Sequence, residues 1–112
     1  MTDHVIGFVR KDVSGGAWER DQARVYDLAA EFGWSVVLVY HGDSDRARGR
    51  VINRLMNLAY SEDVGRIIAP SAEHFEDGEL PALVKIAEVI CADTGTRYTS
   101  AAAGTVRIAS AK

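Results

Sequence analysis

The chain has 112 residues, 47% of them hydrophobic and 26% charged, which excludes a disordered chain and allows a core without metal or disulfide staples. Thirteen basic against sixteen acidic residues leave a net charge of −3, the wrong sign for a domain that grips DNA on its own. A single cysteine, Cys91, excludes an internal disulfide and fits a reducing, cytoplasmic setting.

Val5 to Val9 is a short apolar run that predicts a buried strand. A polar, glycine-rich stretch, Arg10 to Gly16, leads into a predicted helix over Ala17–Phe32. Trp18, Val25, Ala29 and Phe32 share one face of it, and Gly33 is the natural stop. Ser14-Gly15-Gly16 reads as that helix's start rather than an anion-binding loop, since no full phosphate-binding pattern surrounds it.

Trp34–Tyr40 is the second predicted strand. A polar loop over His41–Arg50 precedes a second helix with Val51, Leu55, Leu58 and Ala59 on one side. Val64–Ala69 is the third strand, closed by Pro70, and Ser71–Gly78 is a polar connection. Leu80, Leu83, Val84, Ala87, Ile90 and Cys91 predict a third helix, and Gly95–Thr99 a fourth strand. In the tail, Ala101–Lys112, Thr105–Ile108 is either a frayed end or an edge strand.

This alternation predicts one α/β domain over residues 1–100: a three-layer sandwich with a central parallel sheet in the order 2-1-3-4. The topology is flavodoxin-like. Residues 101–112 form a tail or edge strand outside it. No run approaches the ~20 apolar residues of a membrane span. Met1-Thr-Asp-His4 lacks the basic start of a secretory signal, so no membrane partner is expected.

Chemistry on such sheets gathers beyond the carboxyl ends of the strands. Those ends supply Arg10, Asp12 and Ser14, then His41 and Asp43, then Ser71, Glu73 and His74. His41, Asp43, His74 and Asp12 are oxygen or imidazole donors, but their spacing matches no closed metal site, so no metal or cofactor is expected. Arg46, Arg48, Arg50 and Arg54 crowd into one short stretch. They are the residues available for a nucleic-acid backbone contact, or else a solvated face beside Asp43, Asp45 and Glu62.

Phe8-Val-Arg10 opens the first helix, which closes at Gly33-Trp34; Val25 and Ala29 lie within it. Arg48-Gly-Arg-Val-Ile-Asn-Arg-Leu55, Val64–Ser71 and Leu80–Gly95 follow in order. Together these resemble the catalytic domain of the serine recombinases (resolvases and invertases) over residues 4–100. The resemblance implies a serine nucleophile that attacks a DNA phosphodiester, with arginines holding the phosphate.

Position by position, the chain departs from that pattern. Arg10 is kept, and Arg46, Arg48 or Arg50 stands for the loop arginine. Asp12 occupies the nucleophile's place, and Glu73, His74 and Asp77 stand where the family has an aspartate–arginine pair and a further arginine. Ser14 is the one substitute nucleophile in reach. The expectation is therefore a pseudoenzyme with no catalytic residues. It would act by protein association, as a homodimer or on a recombinase or other DNA-bound factor. The alternative is a residual strand-cleaving domain or a metal-dependent hydrolase. The chain also stops where the family continues into a long dimer helix. Association is therefore expected through Met56 and Tyr60 on the second helix or through the Thr105–Ile108 edge.

Overall fold

A computed structural model describes residues 4–10, 15–42, 50–75, 79–98 and 105–107. Six strands form one sheet in the order β2-β1-β3-β4-β5-β6. They are β1 (His4–Arg10), β2 (Ser35–Gly42), β3 (Arg66–Ala69), β4 (Glu88–Cys91), β5 (Thr96–Tyr98) and β6 (Thr105–Arg107). The first four run parallel, while β5 and β6 are antiparallel additions. Helices α1 (Trp18–Glu31), α2 (Arg50–Ser61) and the short α3 (Glu79–Leu83) cover the sheet. This is the α/β sandwich the sequence predicts.

Successive residues of β1 explain the layering, because side chains on a strand alternate between faces. Val5 and Val9 pack with Ile68 and Ile90 against Val25 and Ala29 of α1. Ile6 and Phe8 pack with Ile67 and Val89 against Ile52, Leu55 and Ala59 of α2 and Leu83 of α3. Gly7 makes room for Val25 of α1 and Val39 of β2: a Cβ there would meet Val25 Cγ1 and Val39 Cγ2, each at 3.0 Å.

Both long helices end the same way. After α1, Gly33 takes φ +74°, its N–H donates to the Ala30 carbonyl, and the Trp34 N–H donates to the Ala29 carbonyl at 2.9 Å. After α2, Asp63 takes φ +54°, donates to the Tyr60 carbonyl, and Val64 donates to the Ala59 carbonyl at 2.9 Å. Both are Schellman closures, which satisfy two orphan carbonyls and press an apolar residue back on the helix. Only the first has glycine at the left-handed position.

The predicted third helix is corrected. Helical spacing over Leu80–Cys91 ends at Leu83, and Glu88–Cys91 is strand β4, paired in parallel with β3. Val89 and Ile90 are both fully buried, one on each face of the sheet. A strand does this with adjacent residues, whereas a surface helix would turn one of them outward. The neighbour of β3 is therefore β4, so the expected order 2-1-3-4 holds only if its fourth strand is Glu88–Cys91. The segment expected there, Gly95–Thr99, contributes β5 one place further out and antiparallel. A turn closed by Gly95 N–H donating to the Cys91 carbonyl joins the two. Thr105–Arg107 pairs with β5 as the edge strand β6, one of the two readings of the tail.

At the amino ends of the strands, Glu88 is bonded by Arg97 and lies 4.0 Å from Arg66 Nε. Arg66 covers the ring of Trp34, and Trp34 stacks on Phe32 at 4.7 Å. No helix among the described residues is long and apolar enough to cross a membrane.

Candidate functional site

The carboxyl end of β3 opens onto a cleft of about 270 Å³ between the first turns of α1 and the 3-10 turn Ala72–His74. Its polar lining is Arg20, Asp21 and Arg24 from α1 and Ser71, Glu73 and His74 from the β3 side. Two arginines and two carboxylates share the lining, so the cleft has little net charge to offer a phosphate.

Arg10, the last residue of β1, is not among the residues lining this cleft, and it is only 1% exposed. Its guanidinium carbon lies 6.0 Å from the centroid of the Phe8 ring, on its own strand. Its backbone N–H donates to Nδ1 of His74 at 2.8 Å, and His74 is 2% exposed. The last amide of β1 therefore finds its acceptor in a side chain from the turn after β3, which a buried N–H requires. An imidazole that accepts at Nδ1 has only Nε2 left for a proton. Phe8 packs against Phe75 at 5.2 Å and Tyr40 at 6.0 Å, so an aromatic cluster underlies this end of the sheet.

Among the expected site residues, Arg10 and His74 are brought together, and Glu73 lines the adjoining cleft. His41 is apart from them: it is exposed at the end of β2, shares a hydrogen bond with Gln22 at 2.6 Å and meets the edge of Trp18. Among the described residues no three His, Cys, Asp or Glu side chains converge as a metal site. Asp12, Ser14, Asp43, Arg46, Arg48 and Asp77 lie outside the described residues, and for Arg50 only the backbone is described. Arg54 is exposed on α2.

Arg20 and Arg24 escape the reading of the sequence. Their signal is there: they sit four apart in the first two turns of the helix that follows β1, a spacing that puts both on one face. The expected association residues divide. Tyr60 is 79% exposed, whereas Met56 packs against the core beneath α2, so the two do not form one free face. Leu55 and Ala59 fill the inward stripe, and Met56 borders it.

No protein-family model matches the sequence, and no curated protein matches it.

Proposed function

We propose that the chain is a degenerate, resolvase-like domain of the cytoplasm that works by protein association, with itself or with a DNA-bound factor, and does not cut DNA. The observation that carries this reading is the state of Arg10. A phosphate-holding arginine has to present its guanidinium to the ligand. Here Arg10 is buried and does not line the cleft, and His74, which stands where the resemblance calls for an arginine, is engaged through Nδ1 by the Arg10 backbone. The replacements at Asp12 and Asp77 and the balanced charges lining the cleft support the same reading. With neither nucleophile nor charge clamp, most of the rate such sites supply is gone.

The test is incubation with supercoiled DNA followed by denaturing electrophoresis. The expected result is no covalent protein–DNA adduct and no nicking. An adduct that disappears in Ser14→Ala would overturn the proposal.

A further inference from the structure

Strand β2 is the outermost strand on its side of the sheet, and no described strand lies beyond it. Exposed edges are normally blunted by lysine, proline or a bulge. The sequence Ser35–Gly42 contains neither lysine nor proline. Its register on β1 slips between Val36 and Leu38, which leaves Val37 as the extra, 40% exposed residue. That bulge protects only the amino half. From Leu38 to Gly42 the strand is regular, and its midpoint is Tyr40.

Beside this regular half a groove of about 430 Å³ runs between β2 and α2, lined by Tyr40, Arg54, Asn57, Leu58 and Ser61. Arg54, Leu58 and Glu62 follow one another at i, i+4 and i+8, and the Glu62 N–H still bonds the Leu58 carbonyl. They therefore form one stripe: basic at the start, apolar in the middle, acidic at the end. Such a stripe complements its own reverse. Set antiparallel against a copy centred on Leu58, Arg54 of each chain meets Glu62 of the other.

We propose that this face binds a second copy of the chain, with β2 of the two copies paired antiparallel about Tyr40. A two-fold axis normal to the sheet keeps both α2 helices on the same side, so the edge strands and the α2 stripes meet their mates about one axis. Two such α2 stripes laid parallel would set arginine against arginine, so the charges also select the direction. The inference deepens the association reading above and rests on it, by naming the partner and the surface.

The test is sedimentation equilibrium of the full chain over a range of concentrations, with Arg54→Glu, Glu62→Arg and the double variant. Both side chains are exposed, so the variants should fold; circular dichroism checks this. Wild type should be a dimer. Each single reversal should weaken it about tenfold or more, because symmetry applies every change twice. The double variant should recover most of the loss, and Tyr60→Asp, on the far side of α2, should leave the dimer unchanged. A wild type that stays monomeric at high concentration overturns the proposal, even if it captures another protein. A dimer unmoved by the Arg54 and Glu62 reversals, or broken by Tyr60→Asp alone, overturns it as well. None of these outcomes bears on strand cleavage, which the DNA adduct reads separately.

Discussion

The backbone N–H of Arg10 and Nδ1 of His74, 64 positions apart in sequence, are joined by a buried 2.8 Å hydrogen bond. It ties the carboxyl end of β1 to the turn that follows β3. His74→Ala would strand a buried amide and cost about 1–3 kcal/mol. His74→Asn, whose Oδ1 can take the place of Nδ1, should retain most of the stability. Urea denaturation of the two variants beside wild type checks the difference; equal losses would argue against a role for the acceptor.

Asp63 holds a left-handed conformation at the end of α2 that favours glycine. Asp63→Gly should raise stability by about 0.5–1 kcal/mol, the relief of backbone strain exceeding the added freedom of the unfolded chain. Gly33→Ala, at the matching position of α1, should lower it by a similar amount. Thermal melts of both variants would show opposite shifts.

At Gly7 the constraint is space. Both atoms that a Cβ would meet at 3.0 Å belong to β-branched side chains, which have little freedom to turn away. Gly7→Ala should therefore cost about 1–3 kcal/mol by overpacking. In the background of Val25→Ala the same substitution should cost less, and a double-mutant cycle measures that coupling.

Burial, with Asp93 adding in the same direction, pushes the Cys91 thiol from 9.0 up to about 12. The folded state keeps the proton that the unfolded chain gives up first. This contribution to stability is complete below about pH 9 and is lost as pH rises from there towards 12. The stability gap between wild type and Cys91→Ala should shift against wild type between pH 8 and 10. At pH 8 the native thiol should react with a disulfide reagent far more slowly than the denatured one.

The strands β1, β2 and β3 were legible in the sequence because each is an unbroken apolar run bounded by polar or turn residues. The helix stop at Gly33 was legible for the same kind of local reason. Residues 80–91 were not, since Leu80, Leu83, Val84, Ala87, Ile90 and Cys91 satisfy a helical period whether or not the chain keeps turning. Only the neighbouring strand decides: Ile67 and Ile68 lie opposite Val89 and Ile90 in register, and a parallel pair buries all four. The cleft was half legible. The strand ends pointed to Arg10, Glu73 and His74, but Arg20 and Arg24 belong to a helix face that only the packing of α1 on the sheet brings round to them. The Arg10–His74 bond is invisible in sequence, because nothing local links the two residues.

The place of β1 sets the order in which a growing chain completes itself. Of the six described strands β1 is made before the others, yet it is an inner one, and both its edges are taken by strands made later: β2, and then β3, which ends at Ala69. Until that residue has emerged, an apolar strand waits with one side open, and its last amide waits longer still, for His74. Nascent chains halted before residue 69 should therefore be protease-sensitive throughout, and chaperone binding should be concentrated in that window.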